Sequence, residues 1–143
     1  MKHCLSNEEK GDLAELEAAA TAKSAGADVF LSFGKSKVDM IVFIGGSTYK
    51  AQVKVAKHRD GEPNNIRAIL RSESGYDYHE IVEAFILYNK HEDECYWLWP
   101  EQVTKTVASV CTVPPECLKA SNRERATFSK NVMMQDVLEE LQN

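Results

Sequence analysis

The chain begins with a segment of helical character. Residues 7–25 are rich in alanine, which has the highest helix propensity. Ser6 and Glu9 have the spacing of a capping box, in which each side chain bonds the backbone N–H of the other. Gly26 follows the segment, as is typical of the residue just beyond a helix. The pattern therefore predicts a helix from Asn7 to Ala25.

Two extended segments follow this helix. Residues 28–33 form a short β-rich run, and residues 38–44 form a run dominated by β-branched and aromatic side chains. Gly45-Gly46 comes next and is typical of a two-residue hairpin turn. Residues 48–56 then alternate between polar and apolar side chains with a period of two. This succession predicts an antiparallel β-hairpin.

The second half of the chain has weaker patterns and ends in a helix. The acidic turn 91–94 separates two aromatic runs and predicts a second hairpin. The remaining predictions are a loop at 57–65, a short strand at 66–70, an irregular stretch at 72–79, a strand at 107–113 and a helix at 129–141. The order of helix, strands and helix predicts an α/β or α+β fold in which the helices cover one sheet.

Composition narrows the class of protein. The chain has 143 residues, of which 43% are hydrophobic and 27% are charged, with 7 Gly and 4 Pro. These values predict a single globular domain over residues 1–143 and exclude collagen-like and low-complexity classes. The longest uncharged apolar stretch, 40–46, is too short to span a bilayer, and no apolar run follows the charged N-terminus. We therefore expect a cytoplasmic location, in a cell or in a phage-infected host.

The net charge of −5 argues against a simple nucleic-acid coat, because such proteins carry an excess of basic residues. A nuclease is still allowed, since ligand and catalytic carboxylates add negative charge. The cysteines, at positions 4, 95, 111 and 117, form no C-x-x-C pair, and we expect reduced thiols. A zinc site from His91, Cys95, Cys111 and Cys117 is the alternative, but its spacing fits no common zinc frame.

The first hairpin gathers side chains of chemical interest. Because side chains alternate along a strand, Gln52 and Lys54 share one face. A two-residue turn at Gly45-Gly46 would place Asp39 directly opposite Gln52, and facing residues of an antiparallel pair project to the same side. The hairpin therefore predicts a cluster of one carboxylate, one amide and one ammonium group.

This cluster has two interpretations. A divalent metal prefers oxygen ligands, which Asp39, Gln52 and a backbone carbonyl can supply, while Lys54 can act on a water or on a phosphate. Glu15 or Glu17 of the preceding helix can add a carboxylate, and periodicity does not choose between them. The alternative is an ordinary cross-strand ion pair between Asp39 and Lys54 on a solvated face, and the bare pattern favours it.

Four segments of the chain together resemble the PD-(D/E)xK nuclease superfamily. They are Lys10-Gly-Asp-Leu-Ala-Glu15, Gly26-Ala-Asp-Val29, Val38-Asp39 and Gln52-Val53-Lys54. The Q-x-K form of the last segment is most similar to the group I intron homing endonucleases of cyanobacterial type. The aromatic residues from Tyr76 to Pro100 resemble that group's second hairpin. The resemblance is firm over residues 10–57, looser to 103 and absent from the tail.

The resemblance implies a nuclease core, with an N-terminal helix packed on a mixed sheet, a second hairpin and a C-terminal helix. It implies that Glu15 and Asp39 are metal ligands, that Gln52 is a ligand or a positioning group, and that the Val53 carbonyl completes the metal shell. It also implies that Lys54 acts on the nucleophilic water. The implied cofactor is Mg²⁺, for which Mn²⁺ can substitute. Gln52 departs from the usual carboxylate and leaves the metal one negative charge fewer.

The same resemblance implies double-stranded DNA as the substrate and a homo-oligomer, either a dimer or a tetramer, because one chain carries one site. The second hairpin and the C-terminal helix are the predicted interfaces. Candidate phosphate contacts flank the cluster at Lys35, Lys37, Lys57 and Arg59, with solvated loop charges as the alternative. Trp97 and Trp99 are predicted to be core or interface residues rather than stacking platforms for bases.

Three functions are therefore open from the sequence. The first is a metal-dependent, sequence-specific DNA endonuclease of homing type. The second is a junction resolvase or a restriction-like nuclease, which normally has a carboxylate at the position of Gln52. The third is a non-catalytic binding module that kept the fold, which Gln52 favours and the set of Glu15, Asp39 and Lys54 disfavours.

Overall fold

A computed structural model describes residues 4–34, 36–59, 61–70, 78–118 and 126–143. The described part contains two α-helices and eight strands, arranged as a five-stranded sheet and a three-stranded sheet. The elements are α1 Asn7–Ser24, β1 Asp28–Leu31, β2 Met40–Ile44, β3 Ser47–Val55, β4 Lys57–Arg59, β5 Glu62–Ile69, β6 Ala84–Asn89, β7 Glu94–Leu98, β8 Val107–Cys111 and α2 Met134–Gln142.

The N-terminal helix α1 confirms the prediction made from its alanines and its capping box. The Ser6 side chain accepts a hydrogen bond from the Glu9 backbone, and the Glu9 side chain accepts one from the Ser6 backbone. Ala14, Ala18 and Ala22 form a buried stripe against the five-stranded sheet. Their small side chains let the helix backbone approach the sheet closely, so that the helix lies across β3 and its neighbours.

The five-stranded sheet has the order β1-β2-β3-β6-β7. Only β3 and β6 are parallel neighbours, and the other pairs are antiparallel, so the sheet is mixed as predicted. The first hairpin has the predicted two-residue turn: Ile44 pairs with Ser47, and Gly45 and Gly46 have φ of 61° and 80°. Gly45 is also sterically required, because a Cβ there would collide with the Leu141 carbonyl oxygen of α2.

The second hairpin, β6 and β7, lies at the centre of the molecule. Every residue of Ala84–Asn89 is buried, because one face of β6 packs against the helices and the other against the three-stranded sheet. The hairpin confirms the pairing predicted from the acidic turn. The expectation that this hairpin offers an exposed interface is wrong, since both of its faces are already covered.

A three-stranded sheet of order β4-β5-β8 contradicts two predictions, the loop at 57–65 and the single sheet. Residues 57–65 are not a loop: they contain β4 and the start of β5, joined around Gly61 at a φ of 78°. The fold is therefore built on two sheets rather than one. Sequence periodicity missed β4 because it is short and polar, and pairing with β5 rather than apolar burial defines it.

The C-terminal helix α2 confirms the apolar periodicity of the tail. A 3₁₀ turn at Ser129–Asn131 precedes it, and Met134 and Leu138 are its buried residues. Residues 71–77, which include most of the stretch predicted to be irregular, lie outside the described part. No helix of the described residues is both long and apolar enough to cross a membrane.

Candidate active site

Asp39 lies immediately before β2 and forms two hydrogen bonds with β3. Its backbone N–H donates to the Ala51 carbonyl at 2.9 Å, and its Oδ2 accepts from the Val53 backbone N–H at 2.7 Å. These two partners flank Gln52, the residue that the hairpin register predicts opposite Asp39. The half-buried carboxylate is therefore held against the central strand of the sheet.

Glu15 of α1 shares a side-chain hydrogen bond with Asp39. Burial and the charge of Asp39 together raise the pKa of Glu15 to about 7. Burial also raises the pKa of Asp39, although the hydrogen bond from Val53 and the charge of Lys54 act in the opposite direction. Below about pH 7 and without a cation, the two carboxyl groups therefore tend to retain a proton between them.

The structure distinguishes the two glutamates that periodicity left equivalent. Glu15 reaches Asp39, whereas Glu17 lies close enough to Tyr88 and Cys95 to influence their ionisation. Two positions along an α-helix turn a side chain by about 200°, so the pair cannot serve one site. Glu15 is the carboxylate that the helix brings to the hairpin.

Lys54 supplies positive charge at the same place. Its charge acts on the carboxylate of Asp39 and lowers the pKa of that group. Its Nζ lies 5.4 Å from the centroid of the Tyr78 ring, within the range of a cation–π contact. The half-buried ammonium is thus placed between a carboxylate and an aromatic face.

Gln52 is buried, with 6% of its surface exposed, and its Oε1 has no hydrogen-bond partner among the described residues. An unpaired buried carbonyl is costly, and a bound cation or water would satisfy it. The alternative of an ion pair on a solvated face is therefore wrong for this hairpin. Its face is largely covered by the second hydrophobic core, to which the neighbouring strand contributes Phe85 and Leu87.

The donor set fits a hard divalent cation. Two carboxylates that share a proton, an unpaired amide oxygen and a strand carbonyl are oxygen donors of the kind that Mg²⁺ binds. Within the described ranges, no three His, Cys, Asp or Glu side chains gather at one point, so Gln52 and backbone oxygen would have to complete the shell. The same finding separates the four residues of the zinc alternative.

The structure describes the side chains of two of the four predicted phosphate contacts. Lys37 and Lys57 are exposed, on the segments that precede Asp39 and follow β3. Arg59 ends β4, but its side chain and the whole of Lys35 lie outside the described residues.

Sequence reasoning did not single out Arg67 and Tyr78. Arg67 pairs with Lys57 across β4 and β5, which puts two cations side by side. The sequence did not reveal this pair, because residues 57–65 were predicted to form a loop and a loop has no strand register. Tyr78 contacts Lys54 through a tertiary approach that no local pattern encodes.

Trp97 and Trp99 confirm their prediction as core residues. Trp97 is fully buried, and Trp99 packs against the same cluster. Both rings contact Tyr49 edge to face, with centroids 5.9 and 5.6 Å apart. This aromatic group packs β3 against the end of β7, with Trp97 fully buried and Tyr49 and Trp99 half-buried.

Comparisons with known proteins identify the family and agree with the fold. A family profile for the PD-(D/E)XK endonuclease matches residues 5–130. Among solved structures, the bacterial homing endonuclease I-Ssp6803I superposes with a TM-score of 0.70 at 17% identity, over 97% of this chain and 95% of that one. No curated protein sequence matches the chain. The structural match confirms the fold expected from the resemblance.

Proposed function

We propose that this chain, which belongs to the PD-(D/E)XK endonuclease family, is a metal-dependent, sequence-specific endonuclease of homing type that hydrolyses phosphodiester bonds of double-stranded DNA. One observation carries the proposal. Glu15 and Asp39, from different elements, share a hydrogen bond beside the ammonium group of Lys54. Two desolvated carboxylates next to a lysine are an arrangement for binding a cation and a phosphate rather than for stability, because burying like charges is unfavourable.

The residues that would hold Mg²⁺ are Glu15, Asp39 and Gln52, together with the Val53 carbonyl, and Mn²⁺ would substitute. The chemistry supplied by such an ion is activation of water and neutralisation of charge on the phosphate. Cation binding would release the proton that the carboxyl pair retains. It would also give the Gln52 Oε1 the partner it otherwise lacks among the described residues.

The chain's own side chains position the charges around the reacting phosphate. Asp39 is oriented by the Val53 N–H and keeps its negative charge at a fixed point of the sheet. Lys54 directs its Nζ protons at the attacking water and at the phosphate oxygens, where charge increases during the displacement. Tyr78 limits the positions that the ammonium can occupy.

The homing type is supported by two features. The fold is that of a bacterial homing endonuclease, and the Q-x-K segment occurs where most family members have an acidic residue. Lys35, Lys37, Lys57 and Arg59 would contact phosphates around the site. One chain carries one such site, so cleavage of both strands implies a homo-oligomer. We place this activity in the cytoplasm, within a single domain spanning residues 1–143.

Gln52 supports a second candidate, a DNA-binding module without catalysis. An amide in place of a carboxylate weakens the attraction for a divalent cation. The proton shared by Glu15 and Asp39 argues against this candidate, because a chain without catalysis gains nothing from keeping that pair desolvated.

The test is cleavage of a genomic-fragment library with Mg²⁺, with Mn²⁺ and with EDTA. Asp39→Ala and Lys54→Ala are compared with Lys90→Ala, an exposed lysine on the turn of the second hairpin. The wild type and Lys90→Ala should cut at discrete sites with metal, and the other two variants should not, while circular dichroism shows that all are folded. The fragment ends then report the target and the stagger.

Two results would overturn the proposal. Equal cleavage by wild type, Asp39→Ala and Lys54→Ala would mean that the carboxylates and the lysine are not the active site. Metal-independent retardation of a specific fragment without any cleavage of it would favour the binding module.

A further inference from the structure

The five-stranded sheet leaves part of one face uncovered. β1, β2 and the first residues of β3 carry α1 on one side, where Val29, Val42 and Met40 pack. On the other side, the core shared with the second sheet contains residues of β6 and β7 but none of the described residues of β1 or β2. Phe30 and Ile41 pair across β1 and β2 on this open side, with 62% and 37% of their surfaces exposed.

Register places six residues on this open face in two rows. One row is Asp28, Phe43 and Thr48, and the other is Phe30, Ile41 and Lys50. We call this set the open sheet face. Phe43 is 40% exposed, and Phe33, just beyond β1, is fully exposed. Isolated exposed apolar residues are ordinary, but a contiguous aromatic and aliphatic group on a flat sheet indicates an interaction surface.

The charges of the open sheet face are arranged for self-association. Asp28 and Lys50 occupy diagonally opposite corners, and the apolar side chains lie between them. Both are exposed. Asp28 forms a 3.3 Å surface ion pair with Lys23, and the carboxylate of Glu83 accepts a 3.3 Å hydrogen bond from the Lys50 backbone N–H. In a two-fold contact, residue i of one copy meets residue j of the other and the reverse also holds. Asp28 of each copy can thus lie against Lys50 of the other, with the two-fold axis along the other diagonal, where the Phe30 side chains of the two copies meet.

We propose that the open sheet face is the site at which a second copy of this chain docks, in a two-fold, face-to-face dimer. The proposal rests on the proposed function in one respect, since cutting both strands of a duplex requires two active sites. It moves the predicted interface away from the second hairpin, which is buried, to the first hairpin. A DNA duplex fits this face poorly, because phosphates require a cationic surface and this one is apolar, with the carboxylates of Asp28 and Glu83 outnumbering the ammonium of Lys50.

The test measures the mass of the full chain in solution, without DNA or metal. Wild type and Phe30→Thr are compared with Ile69→Thr, which removes an equally exposed apolar side chain (58%) from the other sheet. Sedimentation equilibrium should give at least twice the 16.1 kDa chain mass for wild type and for Ile69→Thr. Phe30→Thr should weaken the association at least about tenfold, as expected for loss of a central aromatic contact.

A charge exchange tests the orientation. Asp28→Lys alone and Lys50→Asp alone should each weaken the association, because each creates like charges across the two-fold axis. The double variant Asp28→Lys/Lys50→Asp should restore it, since the corners are complementary again. Asp39→Ala should keep the wild-type mass, so a failure of catalysis and a failure of the interface are separate results.

The following results of the mass measurements would overturn the inference. They are a monomeric wild type at all concentrations, equal losses of association in Phe30→Thr and Ile69→Thr, and failure of the double variant to restore the mass. Unchanged mass of Phe30→Thr with weakened DNA binding would also overturn it and assign the face to DNA.

Discussion

The Oδ2 atom of Asp39 accepts a 2.7 Å hydrogen bond from the backbone N–H of Val53, across the first hairpin. Val53 belongs to β3, which has strands bonded on both sides. The carboxylate is therefore held by a strand that is hydrogen-bonded on both sides, whereas its own segment only precedes β2. The residue that orients Asp39 is also the residue whose carbonyl we propose as a metal ligand, so the backbone of one residue serves both purposes.

Replacing Asp39 by Asn separates the structural role of this side chain from its charge. The Asn amide oxygen can accept the same hydrogen bond from Val53, so the thermal midpoint should be unchanged or slightly higher. Loss of the negative charge should lower the single-turnover cleavage rate about 100-fold or more. Thermal melting and cleavage of the identified fragment measure the two effects. Cleavage within tenfold of the wild type would remove Asp39 from the catalytic groups.

Glu15 makes the stability of the metal-free protein depend on pH. Its pKa is 4.5 as an ordinary carboxyl and about 7 in the folded chain, because of burial and the neighbouring Asp39. Below pH 4.5 Glu15 is protonated in both the folded and the unfolded chain, so its ionisation does not lower the free energy of unfolding. Between 4.5 and about 7 the unfolded chain ionises first, so the stability of the fold decreases as pH rises.

Glu15→Gln should therefore raise the melting temperature at pH 8 in EDTA and leave it unchanged at pH 4. The group is only partly buried and is screened by solvent, so we expect about 1 kcal/mol, or about 3 °C for a chain of this size. Glu140→Gln, exposed on α2, controls for the loss of one negative charge. An equal gain at both pH values would contradict the assigned pKa shift.

The sequence predicted the fold wherever a local signal determines an element. The capping box of Ser6 and Glu9 and the turn at Gly45-Gly46 fixed the start of α1 and the register of the first hairpin. The strand β4 was missed, because its residues are polar and its partner β5 supplies the reason for its extended form. A second sheet could not be inferred, since the burial that defines it comes from residues distant in the chain.

The site was predictable to the same extent. Hairpin register brought Asp39 to β3, and the family resemblance selected Glu15, whose hydrogen bond with Asp39 is now visible. Burial of Gln52 was not predictable, because alternation indicates which face a side chain occupies but not what covers that face. The same limit hid the contact between Lys54 and Tyr78.

Tyr78 should act as a positioning residue for Lys54. Phenylalanine keeps the aromatic face that lies 5.4 Å from Nζ, and leucine removes it while preserving apolar bulk. Tyr78→Phe should retain the wild-type cleavage rate, whereas Tyr78→Leu should lower kcat about three- to tenfold with little change in KM. Single-turnover rates at saturating DNA measure the difference. A loss in the phenylalanine variant as large as that in the leucine variant would point to the hydroxyl group instead.

Lys57 and Arg67 pair across β4 and β5, and two cations in direct register repel each other unless an anion lies between them. We therefore expect a DNA phosphate at this pair. Lys57→Ala should weaken binding to specific and nonspecific DNA alike, and should reduce the slope of log K against log salt by about one. The exposed Lys23, on the last turn of α1, supplies the control, since Lys23→Ala should leave the slope unchanged. Fluorescence anisotropy across a salt series gives these slopes. The series contains Ca²⁺ in place of Mg²⁺, because the larger ion, with its looser coordination geometry, blocks cleavage at many Mg²⁺ sites. If Lys57→Ala has the wild-type slope, β4 faces solvent in the complex and the duplex runs along another edge of the site.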